Sequence, residues 1–186
     1  QFAARLGFSV DPKLAELCRT ASLWALPPER VWGELEKMLL RAPTPSVGWL
    51  LMDELNLIEK VLPDIVSLPV EPAATALDRA AERRDTLAGT GRQVSLILAT
   101  LLHQADAAQT EACLDRLNLH KHHGYPVRKR VLELTQSWTD VAKSASDVVL
   151  RRLADHTELA LLTEVAAAVT GGTAALQNLD RAVHMG

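Results

Sequence analysis

Apolar residues recur three and four positions apart along most of the chain, the spacing of one face of an α-helix. The clearest case is "PERVWGELEKMLLR", residues 28–41. With Val31 at zero on a helical wheel, Leu35, Met38 and Leu39 fall within about 80° of it and form one buried stripe. Pro27 and Pro28 open this helix. Upstream, residues 1–6 read as the tail of a helix that Gly7 ends. Ser9 or Asp11 caps the next helix, with Pro12 near its first position and Leu14, Leu17, Cys18 and Ala21 as its apolar set. Thr44 and Pro45 open a further helix with Val47, Leu50, Leu51 and Leu55 turned inward, and "LNLIEKVLPDI" adds a short one stopped near Pro63.

Two prolines bracket "SLPVEP", the predicted linker. Beyond it the helical spacing resumes in "AATALDRAAERRDTL", "RQVSLILATLLHQA" and "AAQTEACLDRLNL". A turn, "HKHHGYP", separates these from "VRKRVLELTQSW", "SDVVLRRLADH", "ELALLTEVAAAVT" and "GTAALQNLDRAV". The total is about a dozen helices on short loops, as expected for helices that pack as neighbours. "QVSLILATLLH" is apolar nearly all round and is predicted to be a central buried helix. No period of 20–50 residues recurs, which argues against a solenoid of like repeats. The predicted fold is all-α, with about five short helices over residues 1–66 and a helical body over 67–186.

Composition supports this reading. Of 186 residues, 48% are apolar, enough to bury a core, and only 4% are aromatic. Val, Ile and Thr form no alternating runs, which argues against a sheet. The net charge of −3 confines any nucleic-acid contact to a local patch. The longest nearly uncharged apolar run is too short for a bilayer, and no secretory signal heads the sequence, so the expected location is cytoplasmic. Cys18 and Cys113 read as small buried thiols of a reducing compartment.

One flank of the 28–41 helix needs explaining. Arg30, Glu34, Lys37 and Arg41 line one edge of its apolar stripe. Arg30 and Glu34 are four apart and can touch, although Arg before Glu is the weaker order for an exposed pair. Two readings follow: a solvated face with an incidental pair, or a pair that reaches a neighbouring element and holds it in a set geometry, work suited to a planar guanidinium.

"QFAARLGFSVDP" followed by "LPPERVWGELEKMLL" resembles the class II tRNA nucleotidyltransferases, the CCA-adding enzymes and bacterial poly(A) polymerases. In that family an RFAARLGF-like phrase leads from the catalytic head into the neck. An E-R-[IV]-x-x-E motif follows, matched here by Glu29, Arg30, Val31, Trp32, Gly33 and Glu34. "SVGWLLMDELNLIEKVLPDI" is similar to the neck's "GLLE..LPEL" phrase. The likeness covers residues 1 to about 66 well and the rest loosely. It implies that Glu29, Arg30 and Glu34 brace a nucleotide-selecting helix turn carrying an E-D-x-x-R phrase. That phrase, the Gly-Ser phosphate motif and the metal-binding carboxylates would precede residue 1. The chain is therefore expected to be a neck and body without the head, inactive alone and without its own cofactor. Mg²⁺ and CTP or ATP are expected only for an intact parent.

In many relatives the body resembles a His-Asp phosphohydrolase with an "LLHDxGK" phrase. Here it reads "LLHQADA", and Gln104 is a poor substitute for a carboxylate on a hard cation. His103 is therefore predicted to end the buried helix as a hydrogen-bonded residue. His120, His122 and His123 fit no standard zinc signature and are read as turn residues. "GTGR" is too short, and in the wrong setting, for a phosphate-binding P-loop. The most basic stretch, "HKHHGYPVRKR", places Lys121, Arg128, Lys129 and Arg130 together, with Tyr125 able to stack on a base. Arg83, Arg84 and Arg92 form a second basic group. These residues are candidates for RNA contact, with a plain solvated surface as the alternative. The expected function is the RNA-holding neck and body of a tRNA nucleotidyltransferase or poly(A) polymerase relative. Its expected partners are tRNA or another RNA 3′ end and the nucleotidyltransferase head, with no membrane. The alternatives are a helical protein-binding scaffold and a residual His-Asp hydrolase.

Overall fold

The run that is apolar on all sides becomes the centre of the molecule. A computed structural model describes residues 1–23, 25–143, 146, 148, 151, 153, 158–172, 177 and 179. The described residues are all-helical, with no strand: α1 (Phe2–Leu6), α2 (Pro12–Thr20), α3 (Pro28–Arg41), α4 (Pro45–Glu54), α5 (Leu57–Val61), a 3-10 turn (Pro63–Ile65), α6 (Val70–Arg84), α7 (Thr90–Leu101), α8 (Ala107–Arg116), α9 (Val127–Lys143) and α10 (Leu159–Thr170). α7 buries Gly91 and every residue from Val94 to Leu101. It packs against α3, α6, α9 and α10. One apolar cluster runs from Trp32 and Leu39 through Leu77 and Leu98 to Leu162, so the first third of the chain and the remainder share a core. The helices predicted over 146–156 and 172–183 fall largely outside the described residues.

The α3–α4 corner is fixed by α6 from both sides. The Arg84 guanidinium donates to the carbonyls of Leu39 and Ala42, 2.7 Å each, at the C-terminus of α3. The Asp78 carboxylate accepts from Ser46 N at 2.9 Å and Ser46 Oγ at 2.6 Å, at the N-terminus of α4. A cation thus meets the leftover carbonyls of a helix end and an anion meets the leftover N–H group of a helix start, the arrangement that both capping and the helix dipole favour. Elsewhere Asp11, rather than Ser9, caps α2 through Lys13 N, and Asp106 and Gln109 form a reciprocal capping box on α8.

Four expectations are corrected. α2 does not bury its apolar set: Leu17 is 66% exposed and Leu14 is also exposed, while Ala15 faces inward. α2 is anchored instead through its C-terminus, where Lys60 Nζ donates to the carbonyls of Cys18, Arg19 and Ala21. α4 is rotated from the predicted phase, with Val47 exposed and Pro45, Gly48 and Trp49 buried. The cause is close approach: a Cβ on Gly48 would stand 2.3 Å from the Met38 sulfur. "SLPVEP" is not wholly a linker, because Val70, Glu71 and Pro72 form the first turn of α6. Cys18 is only half-buried, whereas Cys113 is buried and its thiol is pushed up to about 12 by burial; both are free.

Candidate functional site

Two surfaces collect cations, and the fold treats them differently. The first is the outer flank of α3. Arg30, Glu34, Lys37 and Arg41 project within about 60° of one another over roughly 16 Å of helix. Arg30 and Glu34 do not pair. Lys37 Nζ takes the Glu34 carboxylate at 2.7 Å. That hydrogen bond is the main reason the Glu34 carboxyl lies below its usual range, with a smaller contribution from Gln1 at the start of α1. Arg5 Nη1 in turn donates to Gln1 Oε1 at 2.8 Å. Arg30 and Arg41 are exposed and, among the described residues, form no hydrogen bond or ion pair. Glu29 lies round the helix, where it accepts from Asn118 Nδ2 at 3.0 Å. Its own backbone N–H and that amide hold its carboxyl below the usual range. Arg30 and Glu34 also border an apolar groove of about 390 Å³, lined by Leu26, Val31, Leu57 and Val61.

The second surface is the 120–130 corner. A tight turn forms there, with His122 and Tyr125 exchanging two backbone hydrogen bonds of 2.9 Å. His123 and Gly124 take positive φ, 47° and 83°. Its cations are largely neutralised. Arg128 grips Asp115 at 2.9 Å with Glu111 at 3.7 Å. Arg130 reaches Glu133 at 2.7 Å and Glu158 at 3.4 Å, and Lys129 faces Glu133 at 3.6 Å. Glu158 also takes Arg92 at 2.6 Å and the Tyr125 hydroxyl at 3.0 Å. Tyr125 is therefore half-buried against Gly91, and burial raises its phenol above the ordinary value. Lys121 alone of the named cations here forms no ion pair or hydrogen bond among the described residues.

The remaining candidates belong to the interior or its edge. Arg84, predicted as an RNA contact, is 5% exposed and committed to the α3 carbonyls; this expectation is corrected. Arg83 is half-exposed and paired with Glu164 at 2.7 Å. His103 Nδ1 donates to Thr100 O at 2.8 Å at the end of α7, and burial lowers the imidazole below its usual value. His122 stacks edge-on against His123 and lies 3.5 Å from Glu36. Among the described residues no three His, Cys, Asp or Glu side chains converge to hold a metal ion. No helix there is long and apolar enough to cross a membrane. Sequence reasoning missed Glu158, Asp78 and Asn118, which act at separations of 32 to 89 residues and leave no local signal.

Residues 7–68, which include α2, α3 and α4, match the family described as "Probable RNA and SrmB- binding site of polymerase A". Similarity extends further, to curated "Multifunctional CCA protein" sequences. That of Tolumonas auensis is 30% identical over 149 residues, covering 69% of this chain and 33% of the relative. That of Alkalilimnicola ehrlichii is 32% identical over 148 residues, covering 72% and 36%. That of Leptothrix cholodnii is 40% identical over 73 residues, covering 37% and 17%. The chain belongs to the CCA-adding and poly(A) polymerase-like family. It spans about a third of the length of the first two relatives, so it represents part of the family's architecture. No solved structure matches it significantly. Within the family match, the E-R-V-W-G-E phrase is the first half of α3, with its glutamates tied to Asn118 and Lys37 and its arginine free.

Proposed function

We propose that the chain is the RNA-holding neck and body of a tRNA nucleotidyltransferase-like protein, with residues 1–66 as neck and 67–186 as body. The observation that carries this is the match of residues 7–68 to an RNA-binding family of polymerase A, extended by similarity to CCA proteins. In the intact protein the reaction is nucleotidyl transfer to an RNA 3′ hydroxyl, with CTP or ATP as donor and Mg²⁺ held by a nucleotidyltransferase head. The chain's part is mechanical: to hold the RNA and to present α3 to the head in a fixed position. Glu34, seated between Lys37 and Gln1, braces the start of α1. Glu29, tied to Asn118, fixes the other side of α3 against the body. A cytoplasmic location goes with this reading.

The apolar face of α1 and α2 favours a protein neighbour on that side. Phe2, Leu6, Phe8, Leu14 and Leu17 are all more than half exposed. A cluster of this kind marks a contact surface, and on this reading the head covers it.

The test has two parts. The 186-residue chain should retain a tRNA transcript lacking its terminal CCA on a filter, with affinity falling steeply as salt rises. Absence of retention at low salt would contradict the RNA role. The full-length gene product should add labelled CTP or ATP to that transcript, while the chain alone should not.

A further inference from the structure

We infer that the cavity between the α7–α8 loop and α9 receives an unpaired nucleobase that carries an amino group, adenine or cytosine in preference to uracil. This rests on the RNA-binding reading and adds to it a base-reading site in the body.

The cavity holds about 560 Å³, within the range of about 300–1,000 Å³ that small-molecule sites occupy. One wall is the α7–α8 loop from His103 to Ala107, and the other is the face of α9 that carries Leu132, Thr135, Trp138 and Thr139. Leu132 and Trp138 supply apolar surface for a flat ring. The polar groups spend their hydrogens on the fold. Thr135 Oγ1 donates to Val131 O and Thr139 Oγ1 to Thr135 O, 3.0 Å each, so each hydroxyl oxygen is left to accept. His103 Nδ1 donates to Thr100 O at 2.8 Å, which fixes the tautomer whose Nε2 is an acceptor. Burial lowers the imidazole below its usual value, so the neutral ring holds at pH 7. The Gln104 amide N–H fills that acceptor at 3.1 Å and marks the place that a ligand's amino group would take. Asp106, at the rim, is committed to the first turn of α8 through Gln109 N. No Lys or Arg stands among the described lining residues, so nothing described there compensates a phosphate. An acceptor-rich cavity without a cation selects a flat ligand with N–H donors and no anionic charge. An amino-bearing base meets that demand. Uracil, with two carbonyls and one N–H, sets acceptors against acceptors, the mismatch that discriminates most strongly in a partly buried site.

The test titrates the 186-residue chain with adenosine, cytidine and uridine, read by saturation-transfer NMR, and measures tRNA retention across a salt series. Ala142→Phe, at an exposed position on the cavity wall, fills the space. Thr139→Val removes one acceptor at nearly constant volume. Each variant is checked by circular dichroism for unchanged helicity. Adenosine and cytidine should give a saturable signal and uridine much less. Thr139→Val should narrow that preference, and Ala142→Phe should abolish the signal. Ala142→Phe should also weaken tRNA binding at least about fivefold with the salt slope unchanged, because a base contact neutralises no phosphate. Equal signals from the three nucleosides, or an adenosine signal that survives Ala142→Phe, overturn the proposal and leave the RNA-binding reading intact. Adenosine binding with tRNA affinity untouched by Ala142→Phe assigns the cavity to a free nucleoside and overturns its role toward RNA. No tRNA retention by the wild-type chain overturns the RNA-binding reading, while the nucleoside titration still decides the cavity.

Discussion

The α3 flank and the 120–130 corner carry the same kinds of side chain, yet one holds free charge and the other does not. The corner is the more basic in sequence, with four Lys and Arg residues in ten positions, 121–130. Folding brings four carboxylates to it, from α8, α9 and the residue before α10. The α3 flank has fewer cations but, among the described residues, meets only its own Glu34. Local charge density therefore does not set the field of a surface, because acids distant in sequence decide it. A second lesson concerns what paired charges do. Cations bound into the fold contribute to stability, while cations left in solvent are available to a ligand.

That division predicts effects of very different size. Arg84→Ala has the largest, because it strips two buried carbonyls of α3 of their charge-assisted donors and leaves a void. A loss of about 3 kcal/mol is expected, read from the urea midpoint; a change under about 1 kcal/mol would show that α6 does not hold the corner. Glu158→Gln comes next, since one carboxylate serves Arg92, Arg130 and Tyr125. About 2 kcal/mol should be lost. The same change frees Arg92 and leaves Arg130 on Glu133 alone, so tRNA affinity at low salt should rise rather than fall. A fall would mean that the corner binds RNA through a geometry Glu158 maintains.

The Asp64–Arg116 pair gives a smaller, pH-dependent effect. The Arg116 hydrogen bond holds the Asp64 carboxyl below its usual range. A depressed folded-state value contributes stability above the unfolded pKa, near 3.8, and loses it as pH falls through the folded value. Asp64→Asn should therefore cost about 1 kcal/mol or less at pH 7, since Arg116 is substantially exposed. The difference from wild type should shrink as pH falls below the unfolded value and through the depressed folded one. A constant difference down to pH 2 would rule out the ion pair as its source. The smallest effect belongs to Arg30→Gln and Arg41→Gln, each within about 0.5 kcal/mol of wild type in a thermal melt. A larger loss would place these residues among the fold-forming cations and break the comparison.

The fold class was legible because helical spacing and the composition agree, and the buried stripe of α3 and the centrality of α7 follow from that spacing alone. What the pattern did not reveal was orientation where helix packing departs from the apolar stripe. α4 turns Gly48 rather than Val47 toward its neighbour because a small residue admits the Met38 thioether. α2 leaves Leu14 and Leu17 outside, and Lys60 holds its C-terminus through the carbonyls there. At the candidate site the α3 flank could be drawn on a wheel. Its freedom from partners could not, nor could the quenching of the corner, because the deciding contacts with Glu158 and Asn118 span 33 and 89 residues.

The central claim is that the stretch 7–68 holds RNA. Photo-crosslinking with a 4-thiouridine-substituted tRNA, followed by peptide mass spectrometry, addresses it most directly. Crosslinks that include residues 7–68 are the predicted result. Crosslinks absent from that stretch would contradict it.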